Sequence, residues 1–381
     1  MKLYEALAYD DVTLIPQYSD LTSRSQASTR MKDFSLPIIA SCMDTLGYKM
    51  KETCIKRYIP FICHRSFKSA KEQLHYFLRG KTDDSYSYKP VDCDCLWFAV
   101  GSVGKYKEWI DELIDFGIRH FCVDMAHGDS KSCIDTIKYI RQKIQEQIIK
   151  GNDRRIQKEL HIIAGNVATA EGFKRLQEAG ANGIRIGIAS GSICSTALNT
   201  GFGVPILTNI IECAKVRKKD VWIIADGGVK NIGDIAKAVF FGADFCMLGK
   251  MLAATSDSEG TCYNSKKEEI TGDPIYPDLI KEDDPVVKSN IVKYKAYRGM
   301  ASRGARKGLL SYASVEGVEG LIKYTRSTEA FLKDTGLQLQ ASLSYGGSKD
   351  WDEFRKKVKA CRRSNSGIMA ADTHLYVTRD A

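Results

Sequence analysis

Gly183-Ile184-Arg185-Ile186-Gly187-Ile188-Ala189-Ser190-Gly191-Ser192-Ile193-Cys194-Ser195-Thr196 joins a short, mostly apolar run to a loop of small residues. Residues 183–186 predict a buried strand. The loop after it carries a thiol, Cys194, and a hydroxyl two positions on, Thr196. Small residues let a backbone come close to a ligand. A thiol is the most nucleophilic unactivated side chain near neutral pH. Burial in a core is the ordinary fate of any one of the 12 cysteines. A loop of glycine and serine offers Cys194 no core to enter.

The same unit, an apolar run ending in glycine or a polar side chain, recurs on both sides. Upstream, 37–40 precedes Met43-Asp44, 59–63 precedes His64-Arg65, and 96–100 precedes Gly101. Residues 119–123 precede Asp124, and 161–164 precede Gly165-Asn166. Downstream, 221–225 precede Asp226-Gly227-Gly228, and 244–248 precede Gly249. Helical spacing fills many of the intervals, over 105–116, 130–149, 170–179, 206–216 and 232–241. Strands alternating with helices at this spacing make parallel βαβ units. Their repetition predicts an α/β fold, a single (β/α)8 TIM barrel over residues 1–381. Polar residues then gather at the C-terminal ends of the strands, where such barrels do their chemistry. Two stretches break the pattern. Residues 81–94 read as a short linker. Residues 260–296, polar and containing Pro274, Pro277 and Pro285, read as a long flap or lid insertion at the C-terminal face.

Bulk composition narrows the class. A hydrophobic content of 44% supports a sizeable core, and a charged content of 27% is ordinary. No apolar run is long enough to span a membrane, and Met1-Lys2-Leu3-Tyr4-Glu5 has no signal-like character, so a cytoplasmic protein is expected. Twelve cysteines without regular spacing suit a reducing compartment. Cys93-Asp94-Cys95 is too tight for a zinc pair, and no zinc is expected. The net charge of +9 is spread among acids. Its densest cluster, 355–363, reads as the solvated face of a helix rather than a nucleic-acid site. The basic excess suits a small anionic substrate.

The strand ends suggest what that anion is. In Asp226-Gly227-Gly228, a carboxylate suits a ribose diol and two glycines let backbone N–H groups reach a phosphate. Gly249, after the next strand, belongs to the loops that form phosphate sites in such barrels. Two tight turns would use the same glycines. Asp124 suits a cofactor ribose or an N-cap. Asn166 offers an amide on the same face or a simple turn. No Gly-x-Gly-x-x-Gly follows an N-terminal strand, so a nicotinamide cofactor would not bind in Rossmann fashion.

Gly191-Ser192-Ile193-Cys194-Ser195-Thr196 resembles the catalytic loop of the inosine monophosphate dehydrogenase and guanosine monophosphate reductase family. Tyr9-Asp10-Asp11-Val12-Thr13-Leu14-Ile15-Pro16 looks like its N-terminal signature, and Met43-Asp44-Thr45 and Ala164-Gly165-Asn166-Val167 match its strand ends. Residues 224–254 match nearly throughout, and Tyr297-Arg298-Gly299-Met300-Ala301-Ser302 is similar to its base-contacting loop. The resemblance implies that Cys194 attacks C2 of a purine nucleotide and forms a covalent intermediate. It implies Ser192, Gly228, Gly249 and Tyr297 near the phosphate and Asp226 on the ribose; Lys250, next to Gly249, could add a phosphate contact or block one. Met43, Met300 and Ala301 would lie by the base. Asp124, Met125, Asn166 and Arg65 would face NADPH or NAD. Gly187, Gly191 and Cys194 would border a monovalent cation, potassium, through their backbone. A homotetramer is implied as well.

The two family reactions share the cysteine intermediate and differ afterwards. The dehydrogenase's Arg-Tyr flap pair is not found in 302–318, nor is a regulatory tandem domain, which many dehydrogenases insert where 81–94 lies. Ser23-Arg24-Ser25, Thr200-Gly201-Phe202-Gly203 and Tyr312-Ala313-Ser314-Val315-Glu316-Gly317 look more like reductase, which makes Thr196 and Glu316 the proton-handling pair. Asp124-Met125-Ala126-His127-Gly128 and Arg298-Gly299-Met300 look more like dehydrogenase. The reading favours GMP reductase. The alternatives are the dehydrogenase and a non-catalytic purine-nucleotide-binding barrel. Ala197, Lys250 and Arg65 differ from the family's usual residues.

Overall fold

The structure is a computed structural model that describes residues 3–79, 94–149, 160–280, 288–299 and 318–370. The linker read at 81–94 falls outside these residues except for Asp94, and Met300, Ala301 and Glu316 fall outside them too. Strand β1 (Val12–Ile15) precedes the barrel, which consists of β2 (Ile38–Ala40), β3 (Phe61–Cys63), β4 (Leu96–Val100) and β5 (His120–Asp124), followed by β6 (His161–Val167), β7 (Gly183–Ile186), β8 (Trp222–Asp226) and β9 (Phe245–Leu248). Neighbours pair in parallel, and β2 closes on β9 with Ile38 opposite Cys246 and Ala40 opposite Leu248. Closure removes the exposed edges an open sheet would carry.

Strands buried on both faces must be apolar throughout, which is why these runs do not alternate. The helices between them bury one face. In Lys131–Ile149, Ile137, Ile140 and Ile144 point inward. The helix Ala170–Ala179 starts on Thr169, whose hydroxyl accepts from the Gly172 N–H at 3.0 Å. It stops at Gly180, where φ is 107° and a side chain would be strained.

The two mouths of the barrel differ in chemistry. At the N-terminal mouth, Phe34 reaches in from outside the sheet. Its ring centre lies 5.7 Å from Phe245, 5.9 Å from Trp222 and 6.1 Å from Trp97. The Trp97 indole N–H donates to His161 Nδ1 at 3.1 Å. Burial pushes His161 down to about 3, so it accepts as a neutral imidazole. This mouth is sealed by packed rings. Polar strand ends collect at the other mouth.

Two stretches differ from the sequence expectation, and a third has more structure than its sequence shows. Strand β6 does not end at Gly165-Asn166 but runs to Val167, with its register against β7 shifting between Gly165 and Val167. The basic cluster 355–363 is not one helix. The helix Trp351–Lys357 ends before Val358, and β13 (Lys359–Arg362) pairs antiparallel with β1, Val12 lying opposite Arg362. An exposed strand edge needs a partner, and β13 supplies it to β1. The 260–296 stretch holds β10 (Cys262–Tyr263) and most of β11 (Tyr294–Arg298), which form a three-stranded antiparallel sheet with β12 (Glu319–Lys323). A two-residue strand leaves no periodicity to read.

Lys295, fully buried on β11, ties this small sheet to the barrel. Its ammonium donates to the carbonyls of Thr255 at 3.1 Å, Ser256 at 3.2 Å and Ser258 at 2.7 Å. Burial lowers its pKa to about 8. Among the described residues no helix is long and apolar enough to cross a membrane.

Candidate active site

The loops after the barrel strands enclose a cavity of about 400 Å³ at the C-terminal mouth. Cys194 and Thr196 face it from the loop after β7. Cys194 Sγ lies 3.1 Å from Thr196 Oγ1, and the Cys194 N–H donates to the Gly191 carbonyl at 3.1 Å. The tight loop that sets this spacing rests on the next one. Gly227 has a φ of 96°, and a Cβ there would come within 2.7 Å of the Ser190 backbone. Only glycine allows the two loops to touch in this way.

At one end of the cavity sit Ser192, Gly228, Gly249, Lys250 and Tyr297. A Cβ on Gly249 would come within 2.8 Å of Met43 Sδ and 2.9 Å of the Tyr297 hydroxyl, so glycine keeps this end open. Burial pushes the Tyr297 phenol up, with a hydrogen bond to Ser192 opposing it, so it stays a neutral donor. Arg298 Nε donates to Asp44 Oδ2 at 2.8 Å, which pins the end of β11 to the loop after β2.

The other end is lined by Arg65, Asp124, Met125 and Asn166. Between the ends lies Arg185, the one feature of the site that the sequence did not single out. It projects from β7 with 7% of its side chain exposed. Nη1 donates to Asp124 Oδ1 at 2.6 Å and Nη2 to Asp226 Oδ2 at 2.8 Å. Burial alone would lower the Arg185 pKa, but the carboxylates of Asp226 and Asp124 outweigh it and hold the guanidinium charged. Burial likewise pushes Asp124 up, and the positive charges of Arg185 and Arg65 more than offset this, leaving its carboxyl below the usual range. A lone Arg inside an apolar strand was the available signal, since a buried charge needs partners nearby.

Asn166 completes the centre. Its Nδ2 donates to Asp226 Oδ2 at 2.8 Å and to the Gly187 carbonyl at 2.8 Å. Its Oδ1 is buried without a partner among the described residues. Asp226 Oδ1 has no hydrogen-bond partner among the described residues either, as the bonds that Asp226 accepts from Asn166 and Arg185 all fall on Oδ2. Two acceptors of the site therefore remain for a ligand's hydroxyl or amide.

Of the residues expected from sequence, all those within the described part line this one cavity, including Gly187 and Gly191. Met300, Ala301 and Glu316 lie outside the described residues; the described residues on either side of them, Gly299 and Val318, meet beside the Cys194 loop. The Val318 N–H donates to the Ile193 carbonyl at 3.0 Å, next to Cys194, and the Gly299 N–H donates to the Val318 carbonyl at 3.1 Å.

Comparison with known proteins agrees with this geometry. Residues 6–271 and 283–374 match the IMP dehydrogenase / GMP reductase domain. The chain is 30% identical to the GMP reductase of Lactobacillus delbrueckii subsp. bulgaricus over 92% of its own length and 93% of that protein's. It is 34% identical to the inosine-5'-monophosphate dehydrogenase of Aquifex aeolicus, over 74% of this chain and 53% of that one. It is also 34% identical to the GMP reductase of Leishmania major, over 72% of this chain and 51% of that one. A closed barrel with a thiol loop after β7, acids at the ends of β5 and β8, and a match over most of its length place this chain in the IMP dehydrogenase / GMP reductase family.

Proposed function

We propose that this enzyme is an NAD(P)-dependent oxidoreductase that acts as a GMP reductase, converting GMP and NADPH to IMP, ammonia and NADP. The observation that carries the reading is the Cys194–Thr196 pair, 3.1 Å apart, in the cavity that also holds Asp226, Gly228 and Gly249. Similarity to GMP reductases along nearly their whole length supports the reductase over the dehydrogenase.

In this reading the phosphate rests against Ser192, Gly228, Gly249, Lys250 and Tyr297, and the base lies toward Met43, Met300 and Ala301. Asp226 Oδ1 accepts from a ribose hydroxyl. Cys194 Sγ, as thiolate, forms a bond to C2 of the base. The amino group on C2 takes a proton and leaves as ammonia with the C2–N electron pair. Thr196 stands within hydrogen-bond reach of Sγ to pass that proton, and Glu316 supplies it. A carboxyl near a desolvated base is raised toward the range where it acts as an acid. After C2 is reduced, Cys194 leaves as thiolate and IMP is free.

The orphaned Asn166 Oδ1, with Asp124, Met125 and Arg65 around it, fits a nicotinamide cofactor with an amide or hydroxyl to donate. When bound, that group supplies a hydride to C2. The carbonyls of Gly187 and Gly191 each accept one hydrogen bond and keep a second lone pair. With the backbone of Cys194 they would hold potassium, and a homotetramer in the cytoplasm completes the reading. The described cysteines are all free thiols, in keeping with a reducing compartment.

Absorbance at 340 nm tests the reaction. GMP with NADPH in potassium buffer is expected to lose absorbance steadily, and lithium in place of potassium is expected to slow that loss. A sustained gain with IMP and NAD, and no loss with GMP, would assign the dehydrogenase instead. Silence in both would leave a nucleotide-binding barrel. Light scattering on the eluted protein checks the tetramer, and cell fractionation checks the compartment.

A further inference from the structure

A second cavity, of about 660 Å³, opens beside the phosphate end of the first. The two share Ser192, Val229, Lys230, Lys250 and Met251 in their walls, so they adjoin along this side. The floor of the second cavity is apolar, with Val229, Met251 and Phe331 partly buried and Ala254 buried. Its rim carries four exposed cations, Lys230, Lys250, Lys323 and Arg326, against one acid, Asp334. Asp10 pairs with Lys230, and Asp334 is taken by Arg326. Among the described residues no carboxylate pairs with Lys250 or Lys323. Converging like charges in a concave wall raise the local concentration of anions.

An anion longer than a monophosphate would pass Lys250, which both cavities share, and then meet Lys323 and Arg326. We propose that the second cavity takes the outer phosphates of a purine nucleoside 5'-di- or triphosphate, whose base, ribose and α-phosphate occupy the first. This rests on the nucleotide reading of the first cavity. Such nucleotides then compete with GMP for the enzyme, and the two cavities together weigh mono- against polyphosphate.

Equilibrium dialysis of the full chain with radiolabelled GMP, challenged by GDP or GTP, reads this directly. GDP is expected to displace GMP competitively and to bind more tightly than it. Lys323→Gln is expected to weaken GDP roughly tenfold, the worth of one charge-assisted hydrogen bond, and to leave GMP unchanged. GMP that binds while GDP and GTP do not compete overturns the inference alone. So does equal GDP affinity in the wild type and Lys323→Gln. Pyrophosphate that binds alongside GMP with the same Lys323 dependence also overturns it, because the site would then serve a free anion. Failure of GMP itself to bind removes the function reading and this inference together.

Discussion

Cys194→Ala is expected to cut GMP-dependent oxidation of NADPH by about 10⁴-fold or more while GMP still binds, because a missing nucleophile has no substitute in a covalent route. The change leaves the fold alone. The Cys194 side chain is only partly buried and bonds to Thr196 rather than to the core. Its backbone N–H, which closes the loop onto the Gly191 carbonyl, is untouched. Binding by calorimetry and rate by absorbance therefore separate cleanly. A variant that keeps more than about a tenth of the wild-type rate would end the covalent mechanism, since an intact Thr196 cannot attack C2 as a thiolate does.

Arg185→Met is expected to produce the largest loss of stability, roughly 3–5 kcal/mol, as is usual when one partner of a buried ion pair is removed. Methionine fills much of the space, so the loss is electrostatic. Asp124 and Asp226 would face one another across the barrel mouth with no shared cation. The sign of the pH dependence follows. In the wild type the Asp124 pKa is lowered, so its contribution is present at neutral pH and lost as pH falls through that lowered value. In the variant the burial that raises the Asp124 pKa loses its main opponent, and protonation relieves that carboxylate. The deficit is therefore largest at pH 8 and shrinks toward pH 5. Thermal melts at both values check this, with a drop of about 5 °C or more expected at pH 8. Arg185→Lys is expected to rescue little, because one ammonium does not span both carboxylates as a guanidinium fork does. A melt within about 1 °C of the wild type at pH 8 would show that the pair is not what holds the mouth together.

Much of this was legible in the sequence, and the rest was hidden for physical reasons. The barrel could be read because most of its buried strands are apolar runs that end at a glycine or an acid, as at Ile186-Gly187 and Ala225-Asp226. Cys194, Thr196 and Asp226 could be read because the segments after their strands are rich in glycine and serine, which offer little to pack them away. Arg185 stays hidden in the sequence because its partners lie 61 and 41 positions away, and only closure of the barrel brings all three together. Strand β13 reads as helix because Lys and Arg favour helices locally, while its partner β1 lies at the other end of the chain. The plug residue Phe34 carries no local signal at all. Its role exists only once Trp97, Trp222 and Phe245 begin their strands around it.

That plug has a consequence for traffic. With one mouth sealed by Phe34, every reactant enters and every product departs by the other. Ammonia has no rear exit. It departs through the same mouth at which Cys194 stands.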